Sequence, residues 1–488
     1  MNIFTKNLVT HHGRHALAMA AATLALSGCS PLAPPYATPA LPVAPVYAEN
    51  KVPEPSAGDT PAWQSYFADP QLQALVTQAL EHNRDIRATA LRVAEARSAY
   101  GIQRADLLPT LGGQAGIDRA RVPADLNLTG RPLLSSQYQA GVGVASWELD
   151  VWGRVRSLRD AALENYLATE AAQHAVTLGL IAQVANSYFT LCELDERLAL
   201  ARQSSTSRQE SLRIFTRRVE VGSASRLGLT QMQTLLTQAQ ALVAQLELAR
   251  AQQANALVLL AGTGVALDPV AHRLDTQNLP PLRTGLPSDL LTRRPDIIAA
   301  EHQLRAAHAQ IGAARAAFFP RIALTGSLGT ASAELGGLFD SGSAAWTFSP
   351  SISVPIFSGG RLRSNLTLAE VRRELAVVNY EKAIQAAFRD VSDALAAQQW
   401  LERQRSIAEE ALAVQTERAR LSQLRYDHGA STFLDVLDAQ RDLLVAQQQA
   451  VQAHRAQLSN QVGLYVALGG GALTLAPSAP EPRKSDTP

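Results

Sequence analysis

The sequence predicts an α+β membrane protein made of two tandem repeats, each giving two transmembrane β-strands and one long coiled-coil helical hairpin. Three observations predict it. One stretch occurs twice: RYDHGASTFLDVLDAQRDLL, Arg425 to Leu444, and RRVEVGSASRLGLTQMQTLL, Arg217 to Leu236. Arg425, Gly429, Leu434, Gln440 and Leu443 stand 207 positions after Arg218, Gly222, Leu227, Gln233 and Leu236, the same residue each time. Second, two proline-free helical patterns are each roughly 100 Å long at 1.5 Å per residue. Third, Trp346, Phe348, Ile352, Val354 and Ile356 alternate with Thr347, Ser349, Ser351 and Ser353. One apolar face and one hydroxyl face is what a strand needs with lipid on one side and water on the other. Pro350 and Pro355 keep open an edge strand of a soluble sandwich.

Composition narrows the class. Of 488 residues 18% are charged and 5% aromatic, and the formal net charge is +1. That balance does not favour a nucleic-acid-binding surface, and it suits long helices packed through small side chains.

The amino terminus carries Lys6 and Arg14, then an apolar run from Ala16 to Leu26, too short to span a bilayer. Leu26-Ser27-Gly28-Cys29 follows, which resembles a bacterial lipobox. Residues 1–28 are then a removed lipoprotein signal peptide. Cys29 is expected to carry an S-diacylglycerol and an N-acyl chain, palmitate-type lipid that gives stable anchoring. Ser30 in place of aspartate favours the outer membrane by the bacterial sorting rule. Residues 29–62 are proline-rich and read as an extended lipid-anchored tether along the body, with a flexible linker as the competing reading. Cys192, the only other cysteine, has no partner and reads as a buried thiol.

The first repeat covers 63–264. A helical pattern from Asp69 runs to about Leu107, and Pro109 ends it. Strands are expected at about 110–119 and 136–149, with a polar loop between, and the helical hairpin at 154–262. Gly222 turns the chain at its tip. A linker, 265–287, leads to the second repeat, 288–470. There Asp85, Ile86, Gly101, Arg104 and Pro109 recur 211 positions on as Asp296, Ile297, Gly312, Arg315 and Pro320. Pro295 is placed to start a helix. Strands are expected at about 321–331 and 346–357 and the hairpin at 361–468, turned by Gly429, with Ser431 or Thr432 as the cap of its return helix. Leu437, Leu444, Val451, Leu458 and Tyr465 keep a strict heptad there. The tail, 471–488, reads as flexible.

Four strands cannot close a sheet, and open edges in lipid cost several kcal/mol per unpaired backbone group. Several copies must therefore share one barrel, with a conduit through it.

LPSDLLTRRPDI, FFPRIALTGSLG, PIFSGGRLRS and RYDHGASTFLDVLDAQRDLL resemble the TolC-like outer membrane factors, and the lipobox places the resemblance in the lipoprotein branch typified by OprM. The resemblance covers nearly the whole chain from Trp63. It implies a homotrimer with a 12-stranded β-barrel in the outer membrane, continued by an α-helical barrel in the periplasm. It implies an exit duct for small toxic compounds, working with a periplasmic adaptor and a proton-driven inner-membrane pump. A type I protein-secretion duct shares the architecture. A lipid-anchored periplasmic coiled coil without a pore is the structural alternative.

No GxxxxGK[ST], HExxH, CxxC or GxSxG motif occurs, and His302 and His308 are not neighbours on a helix face. Nothing therefore supports an enzyme, a metal site or a cofactor beyond the covalent lipid. Of three Met residues Met1 and Met19 lie in the leader, so no methionine path for copper is suggested. Asp435 and Asp438 are three apart on one helix face just past the second tip; in a trimer they would form two acidic rings that select cations. By resemblance Leu434, Asp438 and Arg441 line or latch the periplasmic entrance. From the residues alone, a helix-start carboxylate and a solvated Asp438–Arg441 pair suffice. Val221, Gly222, Ser223, Gly429 and Ala430 are the exposed tip positions. C-cap geometry explains the glycines, and the resemblance adds docking to adaptor hairpin tips.

Overall fold

The computed structural model describes residues 32–45, 47, 60–265, 274, 277, 279–283, 285 and 287–471. The leader, Cys29, most of the linker and the tail from 472 lie outside the described residues. In chain order the elements are α1 (Trp63–Tyr66), α2 (Pro70–His82), α3 (Arg84–Ala105), β1 (Leu111–Val122), β2 (Leu133–Glu148), α4 (Arg154–Glu220) and α5 (Arg226–Ala261) in the first half. The second half has α6 (Leu290–Arg293), α7 (Pro295–Ala316), β3 (Arg321–Ser332), β4 (Ala344–Ser353), α8 (Arg361–Asp427) and α9 (Phe433–Ala467). Both α4 and α8 have 67 residues. The chain divides into two compact units.

One unit contains Val93–Thr169 and Ala300–Tyr380, and with them the sheet. Its four antiparallel strands run in the order β1-β2-β3-β4, leaving β1 and β4 as edges. Register sorts the residues by face. Val142 pairs with Leu328 and Leu328 with Trp346, while Gly326 pairs with Phe348 and Ile322 with Ile352, giving an apolar face. On the other face Ser327 meets Thr347, their hydroxyls 2.7 Å apart, and Thr325 meets Ser349. Gly112, Gly143 and Ser327 continue that polar, side-chain-poor face across the sheet. Val142, Leu328, Trp346, Phe348 and Ile352 are all exposed, as a lipid-facing band requires.

The strands are not quite where local alternation puts them. β1 extends through Asp118, Arg119 and Arg121 to Val122, and β2 begins at Leu133, so the loop between them is shorter than expected. Ladder pairs Arg119–Ser136 and Arg121–Leu134 carry the pairing into charged sequence. β4 begins at Ala344 and ends at Ser353, short of Pro355, which has no N–H to continue a ladder. Glu148 pins the base of the sheet by accepting from Arg154 at 2.8 Å and pairing with Arg321 at 2.8 Å. In the same unit residues 34 and 36 of the tether are held: His308 Nε2 lies 2.7 Å from the Pro34 carbonyl, and the Arg305 guanidinium sits 5.3 Å over the Tyr36 ring.

The other unit contains Leu41–Arg92, Glu170–Ala299 and Glu381–Pro488. Its core gathers Tyr66, Phe67, Val76, Ile181, Tyr188 and Tyr465, with Tyr66 stacked on Tyr465 at 4.5 Å. The five heptad residues Leu437, Leu444, Val451, Leu458 and Tyr465 are all buried. Of the described helices α4 alone is long and apolar enough to cross a membrane, but its most apolar window is 61% buried, as in a core helix. Cys192 is buried there, and burial pushes its thiol up to about 12, so it stays protonated and unreactive.

Cross-links set the helix order in this unit. Gln253 on α5 donates to the Ser187 carbonyl on α4 at 3.1 Å. Gln448 on α9 donates to the Arg197 carbonyl on α4 at 3.0 Å, and Asn460 on α9 donates to the Ala394 carbonyl on α8 at 3.0 Å. The order is therefore α5-α4-α9-α8. Among the described residues the helical row, like the sheet, ends in two elements, α5 and α8, each exposing residues on one side toward the tips.

The continuous helix expected from Asp69 to Leu107 is instead broken at Asn83, whose φ and ψ of −64° and 135° are extended. The Asn83 side chain accepts from Asp85 N at 2.8 Å and caps α3, and its amide donates to the Leu260 carbonyl at 2.9 Å. Arg294, 211 positions on, is the matching break in the second repeat. Its guanidinium reaches the Ala467 carbonyl at 3.3 Å, the counterpart of Leu260 at a shift of 207. Beside each break the end of a return helix passes against backbone. A Cβ on Gly262 would stand 2.3 Å from the His82 carbonyl oxygen, and one on Gly469 2.6 Å from that of Arg293. Glycine is required at both places by that approach.

Candidate functional site

The tips of the two helical hairpins form the candidate site, and both are built the same way. Gly222 has φ of 77° and Gly429 φ of 73°, the left-handed conformation that ends a helix. Ser223 N donates to the Arg218 carbonyl at 2.8 Å, and Ala430 N donates to the Arg425 carbonyl at 2.8 Å. A Cβ on either glycine would meet nothing within 4 Å, so the backbone angle, not crowding, demands glycine. Val221 is 67% exposed, a large apolar group that the tip presents to solvent.

After the turns the repeats diverge. Ser225 caps α5 by accepting from Gly228 N at 3.1 Å. Thr432, not Ser431, caps α9, and Asp435 answers it: its Oδ2 accepts from Thr432 N at 3.1 Å. Asp435 is thus a helix-start carboxylate in this chain. One turn on, Arg441 Nη1 lies 3.2 Å from Asp438 Oδ1, an i,i+3 pair on the same helix. Their side chains stay 50% and 58% exposed, so the pair contributes a few tenths of a kcal/mol. Leu434, 42% exposed, lies on the first turn beside them.

A pairing of Asp438 with Arg441 across neighbouring helices does not form within one chain. The link between helices comes from Asp442 instead. Arg418 on α8 reaches Asp442 at 2.7 Å, and Arg441 reaches it at 3.0 Å. The Arg418 hydrogen bond, with that of Arg441, holds the Asp442 carboxyl below its usual range. Asp442 corresponds to Leu235 in the first repeat, so comparison of the repeats flags it as a change of chemistry, but not as a bridge.

A second feature ties the two tips together. Phe215 on α4 and Tyr426 on α8 both pack on Phe433 at the start of α9, with ring centroids 5.4 and 5.0 Å apart. Arg218 Nη1 donates to the Tyr426 hydroxyl at 2.6 Å, and its guanidinium lies 5.9 Å over both the Phe215 and Tyr426 rings. Each exposed cation–π contact contributes about 0.5–1 kcal/mol. Sequence reasoning missed this cluster. The usable signal was that three aromatics of a chain with 5% aromatics fall close to the two tip glycines.

A sheet apolar on one face and polar on the other, long paired helices and duplicated hairpin tips define the class of outer-membrane channel. The family model "Outer membrane efflux protein" matches residues 75–263 and 286–470, one segment per repeat. The chain belongs to the outer membrane efflux protein family. It is 46% identical over 457 residues to the solvent efflux pump outer membrane protein SrpC of Pseudomonas putida, covering 92% of this chain and 97% of that one. Outer membrane protein OprJ of Pseudomonas aeruginosa is 44% identical over 452 residues, covering 92% and 94%. The open state of the Neisseria gonorrhoeae MtrE outer membrane channel superposes with a TM-score of 0.83 at 41% identity, covering 91% of this chain and 98% of that one.

Proposed function

We propose that this protein is the outer-membrane exit duct of a tripartite efflux system. In this reading it carries small toxic compounds from an inner-membrane pump, through a periplasmic adaptor, across the outer membrane. The observation that carries the duct is the open four-stranded sheet with one apolar and one hydroxyl- and glycine-lined face. Three copies of four strands make a 12-stranded barrel with no edge left in lipid and a wet interior. The relatives named for solvent efflux support small apolar cargo. Deleting the gene should lower tolerance to solvents and lipophilic antibiotics, read as minimum inhibitory concentration, and leave protein secretion intact. Unchanged tolerance with loss of a secreted protein would assign the chain to type I secretion instead.

In the proposed assembly the tips at Val221, Gly222, Ser223, Gly429 and Ala430 meet the adaptor. Their small, open backbone turns support close approach by another hairpin. Leu434, Asp435, Asp438 and Arg441 form the periplasmic gate, with Asp442–Arg418 and Arg218–Tyr426 as the ties between helices. The pump is proton-driven in this reading.

The anchor is proposed at Cys29, with residues 32–40 strapped to α7 in the sheet unit. Labelled palmitate should enter the wild type and not Cys29→Ala. Label that survives the substitution would remove the anchor. The substituted protein should still insert if exported, because the barrel holds it.

A further inference from the structure

Arg208 on α4 is a buried cation that the gate reading does not use. It is 7% exposed, and among the described residues no carboxylate pairs with it. Its hydrogen bond goes to the Leu235 carbonyl on α5, at 2.9 Å. The contacts on either side of it fix what it faces. Arg197 meets Gln448 and Phe215 meets Phe433 as α4 and α9 run antiparallel, so position 208 lies opposite positions 437 to 440. That is the turn of α9 carrying Asp438, with Arg441 one step beyond. Asp438 and Asp442 are already taken by Arg441, and Arg418 also holds Asp442.

Burying a cation without an anion is costly, and a neutral side chain could fill the space. Burial disfavours the protonated form of Arg208, and the like charge of Arg441 adds to it. At position 415, the counterpart of 208 in the second repeat, the residue is Gln. Position 208 therefore carries a cation in the first repeat only, although α8 also faces these acids through Arg418.

We infer that Arg208 is a positioning residue of the gate, a fixed positive charge that weakens the hold of Asp438 and Asp442 on Arg441 and offsets part of the negative field of the acidic rings. The inference rests on the gate reading above. It sets how readily the tips part and how strongly the entrance prefers cations.

Arg208→Gln keeps a donor for the Leu235 carbonyl and removes the charge. In planar bilayers its single-channel conductance should fall about two- to fivefold, and the reversal potential in a KCl gradient should move toward greater cation preference. Arg208→Lys should restore both. If Arg208→Gln does not assemble, Arg208→Met reads the same charge in the same assay. Unchanged conductance and reversal potential, or equal changes in the Lys and neutral variants, would overturn the inference. Asp438→Ala with Arg441→Ala is the control: if that pair alters conductance while Arg208→Gln does not, the gate stands and only this inference fails. If the pair has no effect, the gate reading itself has failed.

Discussion

Ile407→Asp combined with Val414→Asp should yield chains that fold singly and do not assemble. The reason lies on the exposed side of α8. Trp400, Ile407, Val414 and Leu421 are spaced by seven and are 56%, 57%, 60% and 43% exposed in one chain. A strict heptad of large apolar residues is half of a coiled-coil seam. Their counterparts 207 positions earlier are Glu193, Leu200, Ser207 and Ile214, so a carboxylate and a hydroxyl interrupt the row in the first repeat. At the other end of the helical row, α5 exposes Leu227, Thr234, Ala241 and Leu248, also spaced by seven, with small residues in the middle. A large-residue row at one end and a small-residue row at the other suit head-to-tail contact, which closes into a ring. Each apolar side chain fully buried contributes about 1.5–3 kcal/mol, and each seam recurs in every copy. Placing carboxylates in it reverses that gain and adds desolvation. The double variant should elute as monomer with retained helix content. Assembly unchanged from wild type would remove α8 from the seam.

Asp438→Ala with Arg441→Ala should raise single-channel conductance, while Asp435→Ala should mainly weaken cation preference. In the first case Arg418–Asp442 loses the second arginine, Arg441, that ties it to the turn of Asp438. Coulomb attraction at about 4 Å near a surface is on the order of 4 kcal/mol before screening, but exposed pairs net about 0.2–1 kcal/mol. A ring of three such pairs biases an equilibrium by a few kcal/mol at most, the scale of the gate proposed above. Asp435 differs because its carboxylate also accepts from the backbone N–H of the cap residue Thr432 at the start of α9. Its loss should cost about 0.3–1 kcal/mol of local helix stability. If conductance and ion selectivity were both unchanged in all three substitutions, these carboxylates would be ordinary solvated helix-start groups.

Much of the fold was legible because two copies of each signal were present. The limits of α4 and α5 followed from glycine, proline-free length and the tip motif, all local features. The break at Asn83 was not read from the sequence: the residue caps α3 locally, but its bond to the Leu260 carbonyl depends on a contact across the fold. Its partner at Arg294 was legible only through Pro295. The strand ends were hidden for a different reason. Alternation was followed only to Arg119, yet backbone pairing with β2 continues to Val122 regardless of side chain. At the site, Asp435, Asp438 and Arg441 could be found from their spacing, and the tip glycines from their repeat. Asp442 and the Phe215, Arg218, Tyr426 and Phe433 cluster could not. Their meaning depends on which helices are neighbours, and the cluster has no copy in the other repeat to reveal it.

The claim beneath the others is that several chains complete one barrel. The direct test is the mass of the purified wild-type protein in detergent, measured with the detergent contribution resolved. Three chains per particle is the predicted result, since three sheets of four strands close the barrel. A monodisperse particle of one chain would contradict the barrel, the seam and the duct together.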